Sequence, residues 1–189
     1  HLEEKGKIVR IWGGAKSIDH LTESKEKHYS SRETENIDAK IKIANKAVKL
    51  IETGRSIFVD SGTTTMCLAE AIPDRDLSII TSGPNIGMEI IDKNNPSVTL
   101  IGGQLNRNNI SVSGPNSLKF IENINVDIAF MGTSGFSLNS GFTSGDFNEC
   151  QLKNEIIKKA RKVIMLMDLS KIDKNMPFTF SQLEDINIL

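Results

Sequence analysis

The run Asp60-Ser61-Gly62-Thr63-Thr64-Thr65 gathers one carboxylate, four hydroxyls and a glycine into six residues. The apolar Ile57-Phe58-Val59 before it reads as a short buried strand. Met66-Cys67-Leu68-Ala69-Glu70-Ala71-Ile72 after it reads as a helix. A strand that turns on Ser61-Gly62 into a helix N-terminus aims free backbone N–H groups and the positive end of the helix dipole at one place. With the hydroxyls of Thr63, Thr64 and Thr65 added, that place suits a phosphate. One Ser or Thr there would be read as an ordinary helix cap. Three threonines in a row cost helix propensity, which favours a binding role over capping alone. The Gly-Lys-Ser/Thr ending of a P-loop is missing.

Two further groups could serve the same site. Lys171 closes Asp168-Leu169-Ser170-Lys171, directly after an apolar run, where an ammonium could meet a phosphate or a sugar hydroxyl. Glu149 and Lys153 are four apart on one helix face. They suit either a plain i,i+4 ion pair or contact with a ligand. Asp60, Asp127, Asp168 and Glu149 are the carboxylates available as a base, and Asp127 opens its strand at the far end. The histidines His1, His20 and His28 all precede these groups. A Ser/His/Asp set, a nucleophile elbow and a metal cluster are therefore not expected, and no cofactor is implied.

The elements that must position these residues alternate. An amphipathic helix carries Ile37, Ile41, Ala44, Val48 and Ile51 on one stripe and ends towards Gly54. Its lysines Lys40, Lys42, Lys46 and Lys49 fall mostly off that stripe and read as solvated. Strands follow at 57–59, 77–81, 98–101, 126–131 and 163–167. Helices begin at Pro84 and after Ser113-Gly114-Pro115, and another spans about 147–160. Residues 104–112 suit a β-hairpin, residues 177–183 a short helix, and residues 185–189 the start of a last strand. Near-continuous apolar strands between helices predict an α/β fold: a Rossmann-like, mostly parallel sheet with helices on both faces.

In such sheets ligands bind at the carboxyl ends of the strands. Those ends carry Asp60 to Thr65, Thr81-Ser82-Gly83, Gly102-Gly103, Gly132-Thr133-Ser134-Gly135 and Asp168 to Lys171. Each junction alone is ordinary loop chemistry. Their coincidence suits a small, polyhydroxylated, anionic ligand.

The totals bound the rest. The chain has 189 residues, 38% hydrophobic and 25% charged, with a net charge of −1. That allows one domain with a small appendage and gives no global basic field for nucleic acid. No apolar run approaches a membrane span and no stretch reads as a signal peptide. Cys67 and Cys150 suit reduced thiols in a cytoplasmic protein. Near the start, Lys5, Lys7, Arg10 and Lys16 lie on an alternating stretch that looks like the end of a hairpin whose partner is missing. They suit either phosphates or plain solvent.

Taken in order, the Asp60 to Thr65 loop, Ile79-Ile80-Thr81-Ser82, Gly102-Gly103, Ser113-Gly114, Asp127 to Gly132, Gly141-Phe142-Thr143, Glu149 with Lys153, and Asp168-Leu169-Ser170-Lys171 resemble the DeoR family of bacterial transcriptional regulators. Gly6 to Ala15 is similar to the wing of that family's winged helix-turn-helix. The resemblance implies three parts: residues 1–16 as a remnant of the DNA-binding wing, 17–35 as a linker, and 36–189 as an effector-binding sensor domain. It implies a fold similar to ribose-5-phosphate isomerase and the CoA transferases. It also implies a phosphorylated sugar as effector, DNA as partner through helices before His1, no membrane partner, and a homo-oligomer. The effector residues it points to are Asp60, Ser61, Gly62, Thr63, Thr64, Thr65, Thr81, Ser82, Gly102, Gly103, Gly132, Thr133, Glu149, Lys153 and Lys171. Two departures matter. Thr81-Ser82-Gly83 stands where the family commonly has Thr-Asn-Ser. The acidic Asp-Gly-Ala-Asp-Glu run of the related isomerases is replaced by Gly132-Thr133-Ser134-Gly135. The missing acids favour sensing over turnover; the alternative is an isomerase-like or transferase-like enzyme with Glu149 or Asp60 as base.

Overall fold

The computed structural model describes residues 8–11, 13–17 and 26–189. Strands β1 (Ile8–Ile11) and β2 (Gly14–Ser17) pair antiparallel, Ile8 opposite Ser17, around Gly13 at φ 86°. The stretch expected to be half of a hairpin thus folds back on itself. Lys5, Gly6, Lys7 and Trp12 of that stretch, and residues 18–25 of the expected linker, lie outside the described residues. The linker's last residues carry a short helix, α1 (Tyr29–Glu33), with Tyr29 buried.

Five parallel strands form the central sheet: β3 (Ser56–Val59), β4 (Ser78–Thr81), β5 (Ser97–Leu100), β8 (Val126–Gly132) and β11 (Ala160–Leu166), in the order β11-β8-β3-β4-β5. Strand alternation divides their side chains between two cores. Ile57, Val59, Ile79, Ile128, Phe130, Ile164 and Leu166 meet α2 (Ile37–Ala47), α3 (Thr63–Ala71) and α4 (Pro84–Ile91) on one face. Phe58, Ile80, Ala129, Met131, Val163 and Met165 meet α5 (Pro115–Ile121) and α6 (Phe147–Lys159) on the other. Runs that are apolar at every position are what a sheet covered on both sides requires. No helix among the described residues is long and apolar enough to cross a membrane.

The sheet's order fixes where a ligand can sit. From β3 the chain builds outward through β4 and β5; later it returns to the other side of β3 through β8 and β11. The loops leaving β3 and β8 therefore diverge and open a crevice at their carboxyl ends, the switch point of an open α/β sheet.

Several local expectations change. Helix α2 buries Lys40, Ala44 and Ala47 and leaves Ile37 and Ile41 40% and 45% exposed. Its contact line runs through Lys40, Ala44, Ala47 and Ile51, where two alanines let the helix approach α3 closely. Lys40, expected in solvent, instead donates from Nζ to the Arg32 carbonyl. Residues 104–112 do form a hairpin, β6 (Gln104–Asn106) with β7 (Ser111–Ser113). The loop around Gly141 is two strands, β9 (Gly135–Ser137) and β10 (Gly141–Ser144). The helix expected within 177–183 is a third strand, β12 (Phe178–Ser181), paired to β10. Phe180 enters the core while Phe178 stays at the surface, the two-residue alternation of a strand. The expected last strand is reduced to one bridge, Ile188 beside Ile164.

Candidate functional site

Asp60 sits at the end of β3, where its N–H still donates to the Phe130 carbonyl at 3.0 Å. Its carboxylate is buried and turns towards the end of β8. Asp60 Oδ2 accepts from the Gly132 N–H at 2.8 Å and from Lys153 Nζ at 2.9 Å. Lys153 Nζ also donates to Glu149 Oε1 and to the Gly132 carbonyl, each at 2.9 Å. Asn109 Nδ2 donates to Glu149 at 2.6 Å. Gly132 lets the two strand ends approach, since a Cβ there would lie 3.3 Å from Asp60 Oδ2, a tight contact.

The ion-pair reading of Glu149 and Lys153 describes the arrangement. They are an i,i+4 pair, and they line the cavity between β3 and β8. The triad is almost fully buried. Burial works against the charge on Lys153, but the carboxylates of Asp60 and Glu149 outweigh it and hold its pKa above the ordinary value. Burial pushes Asp60 up; Lys153 opposes that rise and Glu149 adds to it. Lys153 is the one cation of the triad and is already shared between two carboxylates, so it is not free to pair a further anion.

Other donors line the cavity. Helix α3 begins at Gly62, a cap without a side-chain hydrogen bond, so the N–H groups of its first turn have no side-chain acceptor from the cap, and Thr63 and Thr64 line the cavity. The Ser61 hydroxyl, which also lines the cavity, is buried without a partner among the described residues. Thr65 closes its own turn, donating to the Gly62 carbonyl at 3.0 Å. Lys171 lines the opposite wall. It ends a short 3-10 turn, Leu169–Lys171, capped by Asp168, which accepts from the Ser170 N–H at 2.9 Å. Burial and then the Arg32 guanidinium push the Lys171 pKa down. Burial opposes ionisation of Asp168, but bonding by Ser170 and the charges of Lys171 and Lys40 keep its carboxyl below the usual range.

Other expected residues serve the frame. Thr133 lines the cavity, but its hydroxyl bonds the carbonyls of Gly135 and Thr143 at 2.7 and 3.1 Å. Thr81 Oγ1 donates to the Val59 carbonyl at 2.7 Å and accepts from Gly83 N–H at 3.0 Å. Ser82 is buried beside it with its hydroxyl unpartnered among the described residues. Neither lines the cavity. Gly102 and Gly103 also lie outside it: they pass over α5, where Ser117 Oγ donates to the Gly102 carbonyl at 2.7 Å. Sequence reasoning passed over Glu26 and Arg32, which line the cavity together with Ser134 of the β8 end. Glu26 and Arg32 sit in the polar segment expected to be a linker, where a single buried aromatic, Tyr29, was the available signal that it packs. Among the described residues no group of three or more His, Cys, Asp or Glu could hold a metal ion.

A parallel α/β sheet with an anion-ready helix N-terminus at its switch point defines a small-ligand-binding domain, and solved structures share its fold. Ribose 5-phosphate isomerase A from Methanocaldococcus jannaschii superposes with a TM-score of 0.53 at 19% identity, over 72% of this chain and 55% of that one. The eIF2B delta subunit from Chaetomium thermophilum does so at 0.54 and 13% identity, over 82% and 56%. The family is narrower. Residues 35–189 match the DeoR C terminal sensor domain, and the chain belongs to the DeoR family of transcriptional regulators. It is 34% identical to the HTH-type transcriptional regulator GlpR of Haloferax volcanii, over 99% of this chain and 72% of the relative. It is 32% identical to the HTH-type transcriptional regulator GolR of Listeria innocua, over 100% and 74%.

Proposed function

We propose that this sensor domain binds a phosphorylated sugar, or a related phosphorylated metabolite, with its phosphate on the N-terminus of α3. The observation that carries the reading is the convergence of the free first turn at Thr63–Thr64, the unpartnered Ser61 hydroxyl and Lys171 on one cavity. Effector binding changes operator occupancy by a DNA-binding part N-terminal to the sensor, in the cytoplasm and in a homo-oligomer whose symmetry suits a two-fold operator. Repression fits the names of two relatives, the transcriptional repressor GlcR of Bacillus subtilis and a putative aga operon repressor of Escherichia coli O157:H7.

The enzyme alternative has less support. A base must reach the proton it takes and be free to hold it. Glu149 and Asp60 are both buried and both ion-paired to Lys153, so each already serves as its counter-ion. A thermal-shift screen of sugar phosphates against the matching free sugars tests the proposal. Stabilisation by a phosphorylated compound and not by its parent sugar supports it. No shift with any member of a broad panel removes it.

A further inference from the structure

The cavity already contains an anion supplied by the chain itself. Glu26, just before α1, places its carboxylate among the donors at the end of β8. Glu26 Oε1 accepts from Ser134 Oγ at 2.5 Å and pairs with Arg32 Nη1 at 3.3 Å. Glu26 Oε2 accepts from the Gly145 N–H and from Asn109 Nδ2, each at 3.3 Å. The side chain is only 10% exposed. A carboxylate offers about four lone-pair positions, and these four donors fill them. Glu26 therefore has no acceptor capacity left for a ligand hydroxyl.

The space and the charges point the same way. The cavity volume left free is about 20 Å³, room for about one water, so a phosphate cannot enter beside Glu26. A carboxylate next to a phosphate in a shielded cavity is also repulsive. Arg32 has unused capacity, since its Nε is buried without a partner among the described residues. A guanidinium with a spare N–H suits two-point binding of a phosphate better than the single contact it makes to Glu26.

We propose that Glu26 is a displaceable internal occupant of the effector site. An anionic ligand seated on the first turn of α3 takes over Arg32, Ser134 and the Gly145 N–H, and the chain at residue 26 leaves the cavity. This rests on the phosphate-site reading above and adds its regulation: the same event that fills the site frees residues 26–28 ahead of α1.

Titration calorimetry on the full chain tests it, with inorganic phosphate and glucose 6-phosphate as probes. If the occupied state holds about ten to one over the open one, removing the competitor tightens binding about tenfold. Glu26→Gln and Glu26→Ala should both bind the probes about tenfold tighter than wild type, and Arg32→Ala more weakly. Unchanged or weaker binding in both Glu26 variants overturns the displacement. Thr64→Val, run alongside, separates the two claims. If it weakens binding while the Glu26 variants do not tighten it, the phosphate site stands and the displacement falls. If neither wild type nor the Glu26 variants bind either probe, both fall. Hydrogen exchange gives an independent readout. Saturating probe should speed exchange at the amides of residues 26–29, and slower exchange there contradicts release.

Discussion

Lys153 Nζ stands 2.9 Å from Asp60 Oδ2 and ties α6 to the end of β3 across the switch point of the sheet. Glu149, one turn earlier on α6, completes the triad at 2.9 Å. The contact holds the Asp60–Thr65 loop at the place where β3 and β8 diverge, so the frame of the cavity and the stability of the fold share these residues.

Removing Lys153 should be costly. Lys153→Met leaves two buried carboxylates without their cation, and breaking a buried pair in this way costs about 3–5 kcal/mol. Urea unfolding at neutral pH should show that loss. The loss should shrink as the pH falls. A carboxyl whose folded pKa is raised stabilises the fold below its unfolded pKa, and that contribution disappears as pH rises through the folded value. A loss below about 1 kcal/mol would mean that the triad is not under strain from desolvation.

Tyr29, the single tyrosine of the chain, offers a clean optical probe. Burial, and then the charge of Glu33, push its hydroxyl from 10.0 up to about 12. Tyrosinate absorbance should therefore rise near pH 12 in the folded protein and near 10 in urea. With the folded pKa raised, the stabilisation is complete below pH 10 and is lost as pH climbs through about 12. A folded-state midpoint at the urea value would place Tyr29 in solvent.

Two glycines with similar backbones should respond differently to alanine. At Gly54, φ 76°, an added methyl would meet nothing within 4 Å, whereas at Gly141, φ 69°, it would strike the Ser181 carbonyl of β12. Gly54→Ala should cost about 1–2 kcal/mol, the left-handed penalty alone. Gly141→Ala should cost about 1–3 kcal/mol more, because the backbone of the small sheet must shift. Equal losses in denaturant unfolding would contradict the close approach of β10 and β12.

Ligand affinity should separate from stability at Lys171. Its ammonium is partly buried and crowded by Arg32, so Lys171→Ala should leave unfolding within about 0.5 kcal/mol of wild type. The same change should weaken a phosphorylated effector by about 1.5–3 kcal/mol, the value of a hydrogen bond to a charged group. Calorimetry with the sugar phosphate found by thermal shift reads the second effect. Undiminished affinity would take Lys171 out of the site.

The sheet was legible because its signal is local: apolar runs between helical patterns, most of them followed closely by Gly or a hydroxyl residue. The strand-turn-helix junction at Asp60–Thr65 was legible for the same reason, as its parts adjoin in sequence. Where the expected residues fall relative to the cavity depends on contacts distant along the chain. Thr81 and Ser82 end a strand as Asp60 does, yet β4 lies one place beyond the switch point, and Thr81 Oγ1 is used on the Val59 carbonyl. Gly102 and Gly103 follow the edge strand and lie farther still. Glu26 and Arg32 are polar residues in a polar segment. Only the fold brings them to Ser134, more than a hundred residues later. Strand β12 carried an alternating Phe178-Thr179-Phe180-Ser181 pattern, but its partner β10 was itself hidden in a glycine-rich loop.

A crystal structure of the chain with a bound sugar phosphate tests the central claim most directly. The phosphate oxygens should lie about 3 Å from the N–H groups of Thr63 and Thr64, with Lys171 paired to them. A phosphate seated elsewhere, with the first turn of α3 facing only solvent, would contradict it.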